Sequence, residues 1–157
     1  MANLEPLIQS IPVAPLKLAS LEGCRTLADQ VNNYLVSFRH ESPTNVGQAD
    51  SLQGYCADSY LLECECPRFG SGEGKGVLKE SVRGCDLFIM VDVTNYSLTY
   101  RVNGYENHMS PDNHYQDLKR IISAADGKAR RINVIMPFLY EGRQHKRSKR
   151  ESLDCAL

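Results

Sequence analysis

From Arg143 to Arg150 the chain places five Lys or Arg side chains in eight residues. Guanidinium forks and ammonium groups at that density make short charge-assisted bonds to phosphoryl oxygens, so the run suits phosphate. It is entered from an apolar stretch, Ile132-Asn133-Val134-Ile135-Met136, closed by Pro137 and Phe138. In an open α/β sheet a buried strand delivers charge this way at its carboxyl end, the edge where such sheets bind ligands. A solvated basic loop is the other reading of the same residues. A second cluster with chemistry is Arg68-Phe69-Gly70-Ser71-Gly72-Glu73-Gly74, which sets a ring, a hydroxyl and a carboxylate on a Gly-rich turn. It is not a phosphate-cradling P-loop, because the Gly-Lys-Ser/Thr ending before a helix is missing.

Charge is split along the chain. Residues 1–70 hold four Lys/Arg against eight Asp/Glu, and residues 120–157 hold nine against four, within a net charge of −1. An acidic front and a basic back point to an anionic partner at the back or to self-association. Bulk nucleic-acid binding would need a basic domain overall, and no aromatic residues interleave with the 143–150 cations. No apolar run approaches the roughly 18 residues needed to cross a bilayer. Met1 to Ser20 lacks a basic region and a continuous apolar stretch, so no signal peptide is read there and the chain is expected in the cytoplasm. The six cysteines form no CxxC pair, and the histidines add no ligand spacing, so no metal site is expected and reduced, buried thiols are.

These clusters need elements to hold them. Residues 1–15 are Pro-rich and read as an irregular arm, and 16–157 as a single α/β domain. Leu16 to Ala19 suits a short strand. A helix fits from Glu22 to Phe38, with Leu27, Val31, Tyr34 and Phe38 on one apolar face and Ser20 as a possible N-cap. His40 to Tyr55 is a polar loop. Tyr60 to Cys66 is a strand, with Cys64 and Cys66 on one face, and Lys75 to Lys79 a short one. Asp86 to Asp92 is a continuous apolar strand of the kind buried on both faces. Residues 93–110 are an excursion with a hairpin turn at Asn103-Gly104. A second helix begins at Pro111 behind Ser110, shows Tyr115, Leu118, Ile122 and Ala125 inward, and stops near Gly127. Ile132 to Met136 is the next buried strand, which completes a βαβ unit. From Glu151 an apolar helical pattern starts and stops within two turns, as in a piece of a longer protein.

Arg83 and Asp86 around Gly84 suit turn chemistry and a strand-end ion pair. Asp92 is a polar group at a strand end. Lys128, Arg130 and Arg131 complement a helix carboxyl terminus. Phe69 reads equally as a cap on the core beside Pro67.

Three segments together resemble the first half of ribose-phosphate pyrophosphokinases (phosphoribosyl pyrophosphate synthetases). They are Arg68-Phe69-Gly70-Ser71-Gly72-Glu73, then Glu80-Ser81-Val82-Arg83-Gly84-Cys85-Asp86-Leu87-Phe88-Ile89, then Arg131 through Gln144. The family reads roughly RFxDGE, ExVRGxDxFI and RIxxVIPYxxYxRQD, and Pro111-Asp112-Asn113 with Asp117-Leu118 resembles its NDNxxEL helix start. The resemblance implies a three-layer α/β fold with a parallel core, like the N-terminal domain of a type I phosphoribosyltransferase. It implies a transferase of nucleotide biosynthesis that moves diphosphate from Mg-ATP to ribose 5-phosphate, and a homo-oligomer. Phe69, Ser71 and Glu73 would form the adenine-recognising turn, which the family takes from a neighbouring subunit. Arg143 and Gln144 would lie on the nucleotide, with Lys146 and Arg147 near its phosphates, and magnesium would accompany ATP.

His145 stands where the family keeps the Asp of RQD, and Ser148 where many members keep an acidic residue. Ser71 and Gly72 replace polar or acidic residues of the turn. The family's pentose-phosphate loop and catalytic loop belong to sequence after residue 157, so residues 1–157 alone are expected to be inactive. A non-catalytic homologue, keeping a regulatory nucleotide or phosphate site and an assembly surface, is the alternative reading.

Overall fold

The computed structural model describes residues 14–41 and 54–153. The arm before residue 14, the 42–53 part of the polar loop and residues 154–157 of the expected last helix lie outside it. Strands β1 (Leu16–Ser20), β2 (Leu61–Leu62), β5 (Asp86–Met90) and β8 (Arg131–Ile135) form one sheet in the order β2-β1-β5-β8. Every pairing in it is parallel. β3 (Cys64–Glu65) and β4 (Val77–Leu78) make a small antiparallel pair, and β6 (Thr99–Val102) and β7 (Tyr105–His108) a hairpin. Helix α1 covers Arg25–Glu41, after a 3-10 turn at Glu22–Cys24, and α2 covers Pro111–Ala124.

Side chains alternate across a strand, and here the alternation sorts them between two helices. Ala19, Leu87 and Ile89 point to one face, where they pack with Leu118 and Ile121 of α2 and with Ala125 at its cap. Leu18 and Met90 point to the other face and pack with Cys24 and Ala28 at the start of α1, with Phe88 and Val31 beside them. The result is three layers, as expected. Each fully buried Leu, Ile or Met contributes about 1.5–3 kcal/mol through removal from water. β5 has no exposed residue, whereas β8 is an edge strand.

That edge position corrects one expectation. Val134 and Ile135 are 42% and 38% exposed, because among the described residues β8 has β5 on one side and no strand on the other. A second correction concerns α1. Leu27 and Tyr34 of the expected inward face are exposed, and Ala28 and Asn32 are buried instead. Asn32 turns inward because its Oδ1 accepts from the Tyr60 amide at 2.8 Å and from Ser59 Oγ at 3.3 Å, which ties the helix to the entry of β2. Ser20 does not cap the helix; it ends β1, and its hydroxyl donates to the Leu21 carbonyl. The Tyr60–Cys66 run divides at Glu63 between two sheets, since β2 pairs with β1 and β3 with β4. Cys64 and Cys66 do share a face, packing into the core under α2.

Helix α2 begins as expected. Pro111 takes the first position, and Ser110 Oγ accepts from the Asn113 amide at 3.3 Å. It ends one residue earlier than the Gly127 signal, with Asp126 and Gly127 both at positive φ. Its buried side also includes His114 and Asp117. The Asn103-Gly104 turn closes the β6–β7 hairpin with φ of 51° and 83°, the left-handed pair that a two-residue hairpin loop demands.

Asp86 pairs with Arg131, not with Arg83. The two residues face each other in the β5–β8 register, and Arg131 Nε donates to Asp86 Oδ1 at 2.9 Å, with a second contact from Nη2. Asn133 Nδ2 donates to the same carboxylate at 2.9 Å. The Arg131 guanidinium, with help from Asn133, holds the Asp86 carboxyl below its usual range although burial pushes it the other way. A carboxylate depressed on folding stabilises the protein above the unfolded value of about 3.9, and that contribution is lost as pH falls through the folded value. Urea unfolding of wild type and Asp86→Asn should therefore differ most at pH 7, and the difference should shrink below about pH 4.

Lys128 pairs with Asp126 at 2.8 Å and Arg131 with Asp86, so carboxylates rather than a helix terminus take up these two cations. Cys24 and Cys64 are buried and Cys56 is exposed. Burial pushes the Cys24 and Cys64 thiols up to about 11 and the Cys66 thiol up to about 12, so all three stay protonated.

Candidate nucleotide site

The chain runs from β1 outward to β2 and returns on the other side of β1 as β5, so the topological switch lies between β1 and β5. Ligands of open α/β sheets bind at such a switch, outside the carboxyl ends. Here that crevice is bridged: Asn95 Nδ2 donates to the Gly23 carbonyl at 3.3 Å. An open cleft lies one strand further on, beyond the ends of β5 and β8.

This cleft, of about 540 Å³, is lined by Thr94 after β5, Pro111 and Asp112 at the start of α2, and Phe138 and residues 140–144 after β8. Each wall has a local cause. Asp92 accepts from both the amide and the hydroxyl of Thr94, at 2.8 and 2.7 Å, and so shapes the turn after β5. Asp92, unassigned in the sequence, therefore has a structural task. Glu141 takes a left-handed φ of 54°, and its carbonyl accepts from the Gln144 amide at 3.1 Å. Tyr140 stacks on Tyr115 of α2 with ring centroids 4.1 Å apart. Its hydroxyl donates to Asp112 Oδ1 at 2.6 Å, and the neighbouring Asp112 carboxylate raises the Tyr140 phenol well above its ordinary value. The loop carrying Arg143 is thus pinned to the first two turns of α2.

Of the residues singled out in this loop, Arg143 and Gln144 line the cleft, whereas Lys146 and Arg147 lie exposed beyond it. None of Arg143, Lys146 and Arg147 is in an ion pair among the described residues. Ser148 is engaged with Glu151, whose carboxylate accepts from its amide and hydroxyl.

The second cluster forms a tight turn elsewhere. Arg68 and Gly74 bridge its base, the Phe69 amide donates to the Glu73 carbonyl at 2.8 Å, and Ser71 Oγ donates to Glu73 Oε2 at 2.8 Å. Phe69 is 55% exposed and caps no core. What holds the turn was not read from the sequence. Arg68 makes a two-pronged contact with Asp117 of α2, at 2.7 and 2.8 Å, and Arg120 meets the same carboxylate at 2.6 Å. The Arg68 guanidinium also sits 5.2 Å from the Tyr100 ring centre, over the hairpin. The turn and the 143–144 loop line different cavities, so Phe69, Ser71 and Glu73 are not joined to Arg143 within one chain.

A parallel three-layer domain with a cationic loop at its carboxyl edge is an open α/β domain, of the class that binds ligands at that edge. Within it, the family model of the N-terminal domain of ribose phosphate pyrophosphokinase matches residues 16–157, and the chain belongs to that family. Ribose-phosphate pyrophosphokinases of Corynebacterium ammoniagenes and Bacillus cereus are each 30% identical to it over 144 residues, covering 90% of this chain and 34% of the relative. A solved structure of phosphoribosylpyrophosphate synthetase from Mycobacterium smegmatis shares the fold, with TM-score 0.55 and 24% identity over 88% of this chain and 35% of that one. The chain thus spans about a third of the length of the curated relatives it matches. No helix among the described residues is long and apolar enough to cross a membrane.

Proposed function

We propose that this chain is the ATP-holding part of a ribose-phosphate diphosphokinase, the activity for which its curated relatives are named. The observation that carries the reading is the cleft beyond β5 and β8, into which the pinned 138–144 loop brings Arg143 and Gln144. Diphosphate transfer concentrates negative charge between donor and acceptor, so positioned cations are the main catalytic need. Lys146 and Arg147, exposed just beyond, would extend the charge along the phosphates.

Asp112 and Glu141 line the same cleft and would repel bare phosphate. A magnesium ion held by Asp112 and Glu141 would resolve this by supplying positive charge, because magnesium is commonly held by one or two carboxylates together with substrate oxygens and water. Glu141 Oε2 is buried without a hydrogen-bond partner among the described residues, and so is a fitting donor. The ion's chemistry is neutralisation of phosphate charge, while Arg143 and Gln144 orient the nucleotide. Ribose 5-phosphate would be held by sequence beyond this chain, with the transferase acting in the cytoplasm as a homo-oligomer.

Isothermal titration with Mg-ATP tests the reading. Wild type should bind, and Arg143→Ala should bind about 10- to 100-fold more weakly, since charge-assisted bonds are lost. Equal heats from both proteins would remove Arg143 from the site.

A further inference from the structure

The β6–β7 hairpin falls between the motifs of the resemblance and belongs to none of them. Its two faces differ. Tyr100 and Val102 turn toward the 68–74 turn: Arg68 lies over the Tyr100 ring, and a Cβ at Gly72, where φ is +91°, would come within 3.0 Å of Val102 Cγ2. Thr99 and Glu106 share the other face, where Thr99 Oγ1 donates to Glu106 Oε1 at 2.7 Å, and the His108 ring stacks on Tyr96 with centroids 4.5 Å apart. The edges differ as well. All four residues of β7 are exposed, and among the described residues β7 has β6 on one side and no strand on the other. Backbone groups along an antiparallel pair alternate between facing the partner strand and facing away. The Met109 amide donates to the Leu98 carbonyl at 2.8 Å. With Asn107 opposite Tyr100 and Tyr105 opposite Val102, the backbones of Tyr105 and Asn107 therefore face β6. Those of Glu106 and His108 face outward, and among the described residues they meet no partner. A two-stranded ribbon with such an edge is a template for a further strand.

We infer that β7 is the pairing edge for a second copy of this chain, antiparallel across a two-fold axis at Asn107, which gives a ribbon of order β6-β7-β7-β6. Side-chain complementarity selects both the occupant and the register. Opposite residues of an antiparallel pair both face each other or both face away, so Glu106 can meet only Glu106 or His108 of another β7. Centred on Glu106, two carboxylates stand directly opposite each other, which is unfavourable. Centred on Asn107, Glu106 of each copy meets His108 of the other, an acid against a base, and each such pair exchanges both its N–H···O bonds. Every outward-facing residue of β7 is then used. The two Asn107 side chains meet on the opposite face. Each gives one amide hydrogen to its own Tyr105 carbonyl at 3.3 Å and keeps the other, with Oδ1, for its copy. A two-fold contact requires a patch that complements itself, and Glu106-Asn107-His108 read against its own reverse does so. Glu106 thus blocks the wrong register and leaves the edge open, where a Pro would close it. The contact makes no use of the strand-end cleft, so it is independent of the nucleotide reading.

Sedimentation equilibrium of the full 157-residue chain, without nucleotide and over a concentration series, tests the interface. Wild type should dimerise. Two substitutions at one exposed position separate charge from packing, because both take the His108 ring off Tyr96. His108→Lys keeps a cation opposite Glu106 and should hold the dimer. His108→Glu sets carboxylate against carboxylate at both symmetric pairs, and its dissociation constant should exceed that of the Lys variant about tenfold or more. The register has its own signature. Mixing His108→Glu with Glu106→Lys should restore dimers that His108→Glu forms poorly alone, since each facing pair in the mixed dimer again sets an acid against a base. A monomeric wild type overturns the inference. Equal dissociation constants for His108→Lys and His108→Glu overturn it too, by placing self-association on another surface. Absence of Mg-ATP binding beside a dimer that responds to charge at 108 would sink the donor-site reading and leave this interface standing.

Discussion

Asp117→Ala should cost about 3–5 kcal/mol of folding stability, because it leaves two guanidinium groups without their shared carboxylate. The side chains of Asp117 and Arg68 are only 5% and 10% exposed, so water cannot replace the lost bonds. Arg120, at 21%, has partial access and would recover more of its hydration. For a domain whose whole stability is about 5–15 kcal/mol, the loss is a large share. In urea, with a slope of about 2 kcal/mol per molar, the midpoint should fall by roughly 2 M. A matched pair of apolar replacements, Arg68→Met with Asp117→Leu, should recover much of this, since removing both charges leaves neither unpaired. Should Asp117→Ala unfold at the wild-type midpoint, the ion cluster is not what fastens the turn to α2.

Gly76→Ala should be as damaging, for a steric reason. A Cβ there would lie 2.5 Å from both the carbonyl carbon and the carbonyl oxygen of Arg120. Those atoms belong to helix backbone and cannot rotate away, so α2 and β4 would have to separate. Overpacking costs about 1–3 kcal/mol when side chains yield, and a backbone clash should reach or exceed the top of that range. Gly70 provides the contrast: nothing lies within 4 Å of its Cβ position and no positive φ is recorded for it. Gly70→Ala should fall within about 0.5 kcal/mol of wild type. Thermal unfolding of the two variants side by side checks the argument, and equal melting temperatures would defeat it.

The parts of the fold that depend on near neighbours in the chain were readable from sequence. The Ser110-Pro111 helix start and the Asn103-Gly104 turn carry local signals and form where expected, and the apolar strand expected over 86–92 forms over 86–90. The parts set by distant neighbours were not. An apolar strand looks the same whether one or two strands flank it, so β8 reads as buried although it is an edge. Asn32 lies inside α1's packed face because of Ser59 and Tyr60, 27 and 28 residues away. For the candidate site, Arg143 and Gln144 could be found from their motif, and the cleft contains both. The supports could not. Neither Tyr140 on Asp112 nor Arg68 on Asp117 has a spacing that declares it, since each joins elements separated by 28 and 49 residues.

The strand order also governs how the chain must fold. β1 is the first strand made, yet its central partner is β5, with Leu16 opposite Asp86. Some 70 residues must be gathered before that pairing yields any hydrogen bond, and the entropy of closing a loop grows with the logarithm of its length. The β6–β7 hairpin closes through two residues and can form within microseconds. Helices α1 and α2 are also local, whereas every pairing in the main sheet is long-range, which places the domain among slow folders. Until β1 and β5 meet, Leu18, Leu87 and Ile89 have no core to enter. During that interval the chain shows water the residues that later become its most protected, and this is the window in which a chaperone or a neighbouring copy would meet it.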